Sequence, residues 1–581
     1  MFLLFFVFQF ASFNTKVFAA NFDPIFSSLL YIYKDSPDVK DQNFYINNQF
    51  INLDNERKEE EKIFFEKRDL NKICQFPARY FYLRKKLNID EDLLSQCQDL
   101  IEFKNKVPAD EVSIVFASEN ISLPTSMMGH IFLKLSGKNY KNDLVEHAVS
   151  FFTDVDNISF LKVIYGSLIF GLDGIYALNP YQEVKTNYLY NEQRNLYEYT
   201  LKLNQFEREL LLLHLYELKN IKFKYLFHAF NCATVMSNVL SINLPEIKNE
   251  RNWWMTPLDV VRALEKYQYI ESTKVILSSE WKIKSLQDSY SFPPQIIDEI
   301  KEKKFENLID KNRSRELQFL DLELAKSYND YLLENKTIEI GEWNKNDDYL
   351  KNKKEEVLPQ GTLDLSTYKS PAKTIQDSQI YLGQSSKNQT SLGLLFASHY
   401  LTDDTSNYSN ESELKLGDIR IAFDHKEKQF IFKHINIYSA EILRPHDPIL
   451  GGLSFKFDLS FLNENLDLNS WSTYFGVGKT LKLHNDFTIY GMGLSEAKTN
   501  SNHGLYLGPE IGFVFKQIFN IKMTASYKYQ LNLFHPTVKK VEWDVIEQIN
   551  LNSYAFGLKY LNQRKSKQKY NNLELFYKFF F

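Results

Sequence analysis

The stretch IKMTASYKYQLNLF, residues 521–534, is the one whose reading decides the architecture. Ile521, Met523, Ala525, Tyr527, Tyr529, Leu531 and Leu533 alternate with Lys522, Thr524, Ser526, Lys528, Gln530 and Asn532. A strict period of two puts one set on each face of a β-strand. Similar strands, separated by Asn, Asp, Gly and Ser turns, recur from about residue 376 to the end, roughly ten to twelve of them, which is the range of a mid-sized membrane barrel. The last is NNLELFYKFFF, residues 571–581, with Leu573, Leu575, Tyr577, Phe579 and Phe581 on one face and Glu574 and Lys578 on the other. That ending resembles the terminal strand of bacterial outer-membrane barrels. A soluble antiparallel sandwich would alternate too. The barrel is favoured because of the export signal expected at the start and the final phenylalanine, and a lipid-facing apolar band would also account for the 15% aromatic residues. SELKLGDIRIAFDH, residues 412–425, shifts its apolar parity at Gly417 and Asp418, as a bulge would.

Residues 1–19, MFLLFFVFQFASFNTKVFA, read as a signal peptide, with Val17 and Ala19 at the −3 and −1 positions of a cleavage site. An uncleaved anchor is the alternative. A chain of 581 residues suggests about two to four domains. Residues 20–105 read as a helical N-terminal domain, and 106–285 as an α+β domain with strands near 112–117, 130–136 and 144–152. A charged helical linker is expected at 286–375 and the antiparallel barrel at 376–581. The formal charge of −5 is spread along the chain, so no nucleic-acid partner is expected. No cofactor motif is present in the sequence.

Of the three cysteines, Cys74 and Cys97 are expected to pair in an oxidising compartment, leaving Cys232 over. Asn231 suits an N-cap for the helix that begins at CATVMSNVL, so Cys232 falls in a first turn, where free N–H groups and the helix dipole favour a thiolate. The same N–H groups, with Asn231, could bind an oxyanion. His130, at the head of an apolar strand after Gly129, is the candidate base, and His147 on the next strand a candidate to orient it. Each also has a plainer reading, as a core or surface histidine. A zinc site from His130, His147, His228 and Cys232 lacks any tight ligand spacing.

CQFPARYFYLRKKL, LPTSMMGHIFLKL, YNEQRNLYEYTLKL, FNCATVMSNVL and TPLDVVRAL, in this order over residues 70–270, resemble the bacterial domain family named after the lipoprotein N-acyltransferase Lnb. The resemblance implies a circularly permuted papain-like catalytic domain of the NlpC/lecithin-retinol acyltransferase kind, facing the periplasm. It carries Cys232 as nucleophile and His130 as base. It also implies acyl transfer from lipid or lipoprotein through a Cys232 thioester to an amine, with outer-membrane lipid and lipoprotein or phospholipid as partners. The rival readings are a cysteine peptidase or amidase acting on cell-wall peptide, and an outer-membrane scaffold or channel without catalysis.

Overall fold

The structure, a computed structural model, describes residues 23–33, 36–46, 52–120, 128–153, 171–226, 231–250, 254–309, 312–365, 369–408, 410–464, 466–499 and 504–581. The expected signal peptide and His228 lie outside them. The chain divides into two compact units. One holds 1–112, 135–178 and 202–251, and the other 113–134, 179–201 and 252–581. The architecture is mixed α/β with a closed antiparallel barrel at the C-terminus.

The N-terminal segment contains α1 (Pro24–Leu29), a short ladder of β1 (Ile32–Tyr33) and β2 (Ser36–Pro37), and helices α2 (Leu53–Glu61), α3 (Leu70–Gln75), α4 (Pro77–Lys86) and α5 (Gln98–Lys106). The Cys74–Cys97 disulfide, with Cα atoms 5.4 Å apart, ties α3 to the start of α5. Arg79 of α4 is wholly buried. Its Nη1 donates to Glu60 Oε1 at 3.0 Å and its Nη2 to the Phe44 carbonyl at 2.7 Å, and its Nε lies 3.5 Å from Glu217 Oε2. A buried charge of this kind is tolerable only where partners of this sort surround it, although the Nε makes no hydrogen bond.

Seven strands form one sheet: β3 (Glu111–Ala117), β4 (His130–Lys138), β5 (Leu144–Thr153), β6 (Leu172–Pro180), β7 (Leu196–Leu201), β8 (Phe223–Tyr225) and β9 (Ile270–Ile276), in the order β8-β6-β5-β4-β3-β7-β9. Helices α6 (Tyr181–Thr186), α7 (Gln205–Leu218), α8 (Cys232–Leu240) and α9 (Pro257–Lys266) belong to the same stretch of chain. Asn204 and Glu207 start α7 with a capping box, and Thr256 and Asp259 start α9 with another, Pro257 taking the first helical position as its fixed φ allows.

The expected linker is a packed helical layer. In α10 (Ser279–Ser289), α11 (Pro294–Lys301), α12 (Arg315–Glu334) and α13 (Ile340–Val357), the residues Ile283, Leu286, Ile300, Leu322 and Leu350 share one core. Ile449, from a barrel loop, enters that core. Most of the charge of this segment is at least partly exposed, Asp321 and Asp347 being buried exceptions, and it concealed the apolar stripe beneath.

Twelve antiparallel strands close the barrel: β10 (Gln379–Ser385), β11 (Gln389–His399), β12 (Glu411–Asp424), β13 (Gln429–Leu443), β14 (Ser454–Glu464), β15 (Asp467–His484), β16 (Phe487–Lys498), β17 (Gly504–Lys516), β18 (Ile521–Asn532), β19 (Lys539–Asn550), β20 (Tyr554–Lys565) and β21 (Gln568–Phe580). Closure comes from β10 pairing with β21, Gln379 opposite Phe580 and Ser385 opposite Glu574. The alternation read from the sequence is the alternation seen. Leu575 is 60% and Phe579 41% exposed on the outer wall, whereas Glu574 and Lys578 point inward at 8% and 3%. In β18 the inward set is Thr524, Ser526, Lys528 and Gln530, which line the lumen. An apolar exterior around a charged interior is the polarity of a barrel dissolved in lipid.

The parity shift in β12 is also present, with Glu413 and Lys415 facing the lumen before Gly417 and Asp418 and Arg420 after it. Gly417 has φ +70°, with the Phe396 ring on the side where a Cβ would stand. The pairing with β11 keeps its register across this point, and the register shift against β13 comes later, between Arg420 and Ile421.

One end of the barrel meets the helical layer. Arg444 pairs with Glu280 at 2.7 Å, and Lys284 donates to Asn410 Oδ1 at 2.6 Å. At the same end the β11–β12 loop turns into the lumen. Asp403 accepts from Lys578 at 2.7 Å, Gln548 at 2.9 Å and Gln379 at 2.7 Å, while Lys522 donates to the Asp403 carbonyl and to Thr405. What is left open inside is a polar cavity of about 350 Å³.

Candidate active site

Each half of the expected catalytic pair is described in its own unit. In the first, Asn231 Oδ1 accepts from Thr234 N at 2.9 Å and from Thr234 Oγ1 at 3.1 Å, which makes Asn231 the N-cap of α8. Cys232, the cysteine outside the disulfide, is therefore the first helical residue, and it is buried. Its backbone N–H donates to the Tyr225 hydroxyl; burial first, and then the Cys232 thiol, hold that phenol well above its ordinary pKa. Tyr225 ends β8, opposite Leu172 of β6. The rings of Phe151 and Phe223 lie 5.1 Å apart, and Phe151 stacks on Tyr225 at 6.2 Å. Gly174 leaves room for this group, because a Cβ there would stand 2.4 Å from the Phe151 ring. The thiol therefore sits at a helix start near Tyr225, one member of this aromatic group.

In the second unit, His130 opens β4 after Gly129, whose φ of +79° and contact with Phe116 and the Ala117 carbonyl leave no room for a side chain. The imidazole lies 6.1 Å from the Phe132 ring and 6.3 Å from Tyr188, both near-parallel to it. Arg194 lies over Tyr188 at 4.8 Å. It is held by the carbonyls of Ser118 at 2.5 Å and Ala117 at 2.9 Å and by Glu192 at 2.7 Å. Burial, and then the Arg194 charge, pull the His130 imidazole down to about 3, so it is neutral at physiological pH. A neutral ring is the proton-accepting form.

His147 lies on β5 and lines a cavity of about 530 Å³ with Glu102, Asn105, Lys106, Asn139, Tyr140 and Val145. Its Nδ1 is buried without a hydrogen-bond partner, and burial, helped by Lys106, lowers its pKa. Among the described residues no three His, Cys, Asp or Glu side chains are grouped to hold a metal. Two neighbours of the candidate pair escaped the sequence reading. Tyr225 lies in the weak, three-residue β8, and Arg194 lies inside YNEQRNLYEYTLKL, where nothing marks it as a neighbour of His130.

The fold and its polarity define an outer-membrane β-barrel protein carrying a periplasmic α/β domain. Residues 100–267 match the family described as Lnb N-terminal periplasmic domain. Residues 378–580 match a second family, Domain of unknown function (DUF7840). No curated protein matches the chain. Among solved structures, the barrel is similar to KdgM porin (10% identity, 35% of this chain and 99% of that one, TM-score 0.23). It is likewise similar to an outer membrane channel from Pseudomonas putida F1 (10%, 38% and 100%, 0.23) and to LpxR from Salmonella typhimurium (10%, 35% and 90%, 0.19).

Proposed function

We propose that the periplasmic domain is a permuted papain-like, thiol-dependent acyltransferase with Cys232 as its nucleophile. The observation that carries this reading is the environment of the thiol: buried, first in a capped helix, and near Tyr225, whose ring stacks on Phe151. A helix start favours thiolate, and an aromatic wall suits an acyl chain better than a charged peptide.

His130, assigned by the family resemblance, takes the thiol proton as sulfur attacks an ester carbonyl of a phospholipid or lipoprotein. The tetrahedral intermediate collapses to a Cys232 thioester, and the departing alkoxide takes the proton back from His130. An amine, such as a lipoprotein N-terminus, then attacks the thioester. His130 receives its proton, and the amide leaves with the thiol restored. Tyr225, which accepts from the Cys232 N–H, has its own O–H to donate to the oxyanion.

The test is peptide mass spectrometry of the membrane-purified protein incubated with phospholipid or diacylated lipoprotein. The expected result is a hydroxylamine-labile acyl adduct on the Cys232 peptide, absent in Cys232→Ala and weakened in His130→Ala. Loss of one oxyanion donor in Tyr225→Phe should slow acylation by about 10²-fold. A Cys232 that alkylates readily with a thiol reagent but takes no acyl group would overturn acyl transfer in favour of a peptidase or amidase.

A further inference from the structure

The two ends of the barrel differ in what they present. The end holding the 400–410 and 444–453 loops packs on the helical layer that continues from the periplasmic domain, so the turns at 533–538 and 566–567 lie at the cell-surface end. There, on three adjacent strands, the outward positions become basic. Arg564 of β20 stands opposite Lys569 of β21 and opposite Val541 of β19, and Lys539 lies two residues further along the same face as Val541. All three basic side chains are exposed. Among the described residues none of Lys539, Arg564, Lys567 and Lys569 pairs with a carboxylate. Like charges placed directly opposite on neighbouring strands repel, so Arg564 and Lys569 are a standing cost unless an anion lies between them.

Two further features suit an anion that is also a lipid. Below the basic row the same wall is apolar, with Trp543, Tyr560, Leu573 and Leu575 all exposed on its outer side. Beside it, the β18–β19 and β20–β21 turns bound a cavity of about 940 Å³ whose charged lining is Lys539, Lys565 and Lys567, with no carboxylate. The outward face of the β13–β15 side at this end carries Phe430, Phe432, Phe461 and Trp471 instead, so the basic patch belongs to one side.

We propose that this wall of β19–β21 binds a phosphorylated glycolipid of the outer leaflet, of the lipid A class. The Arg564 guanidinium, whose planar fork matches phosphate, and the Lys539 and Lys569 ammonium groups hold the headgroup. The acyl chains lie along Trp543, Tyr560 and Leu573. Basic clusters at headgroup depth are how membrane proteins select anionic lipids. This site is independent of Cys232.

The experiment is native mass spectrometry of the full-length protein released from nanodiscs of phosphatidylethanolamine doped with bisphosphorylated lipid A, dephosphorylated lipid A, or phosphatidylglycerol. The expected result is one bisphosphorylated lipid A retained per chain, with retention falling at least about tenfold in K539Q/R564Q/K569Q and unchanged in K426Q/K428Q on the β12–β13 turn. Barrel folding is checked by heat-modifiable gel mobility. If the triple variant fails to fold, the single variants R564Q and K569Q carry the same comparison. Equal retention of dephosphorylated lipid A would overturn the proposal in favour of the apolar wall alone. So would equal retention of phosphatidylglycerol, or retention unaffected by the substitutions.

Discussion

Lys134 and Lys578 are both lysines in strands, both nearly inaccessible to solvent, and they obey opposite rules. Lys134, in β4, is bracketed by Phe132, Leu133 and Leu135, all buried. Its compensation includes the Glu198 carboxylate at 2.9 Å and the face of Tyr181 at 4.6 Å. Lys578, in β21, points into a lumen where Asp403 lies 2.7 Å away, Thr402 3.4 Å and the Tyr400 ring 4.0 Å, among other charged side chains. The periplasmic sheet buries carbon and admits a charge only as an exception. The barrel turns its carbon to lipid and makes charge the rule inside. Strand geometry is the same in both, and the surrounding solvent sets which face is which.

That contrast can be broken first at Glu198. Glu198→Ala removes the carboxylate 2.9 Å from Lys134 in an apolar sheet and should cost about 3–5 kcal/mol, read as the urea midpoint of the detergent-solubilised chain. On the barrel wall, Leu575→Arg, near mid-strand and facing lipid, should cost about 2–4 kcal/mol in refolding into vesicles. Leu144→Arg, at an exposed apolar residue of β5, should stay within about 0.5 kcal/mol. Asp403→Ala should cost less than Glu198→Ala, about 1.5–3 kcal/mol on the same vesicle assay, because Lys578 keeps Thr402 and the lumen's other polar groups. A cost equal to that of Glu198→Ala would mean that the lumen is as intolerant as the sheet.

Charge buried in the N-terminal segment adds a pH test. Burial, together with the charges of Glu56 and Glu217, pushes the Glu60 carboxyl up to about 8 from an ordinary 4.5, against the opposing pull of Arg79. The folded state then holds a proton that the unfolded state releases, so its contribution is fully present below about pH 4.5 and is lost as the pH rises toward 8. Glu60→Gln should flatten that slope in denaturation midpoints measured between pH 5 and 8. A small effect is also expected at the helix that carries the thiol, where Asn231→Ala removes a cap and should cost about 1 kcal/mol in a thermal melt.

Much of the barrel was legible because its signal is local: in 521–533 a period of two needs no knowledge of distant residues. The same holds for the Asn231 cap, which reaches only three residues along the chain. The Cys74–Cys97 bond was legible from number and compartment. The 286–375 segment is helical as read, but its packing was not legible, because its apolar residues are thinly spread among charges and find each other only across four helices and a barrel loop.

Local composition and period, then, determined the barrel, its inward and outward faces, the capped helix at Cys232 and the disulfide. The tertiary structure alone decided that the β11–β12 loop turns into the lumen, where Asp403 meets Lys578 across 175 residues of chain. It alone placed Arg194 beside His130, Tyr225 on the Cys232 N–H, and Lys539, Arg564 and Lys569 on one outer wall. The physical reason is range: hydrophobic period and helix capping act within a few residues, whereas ion pairs and ring contacts form wherever closure of a sheet or barrel happens to bring two side chains together.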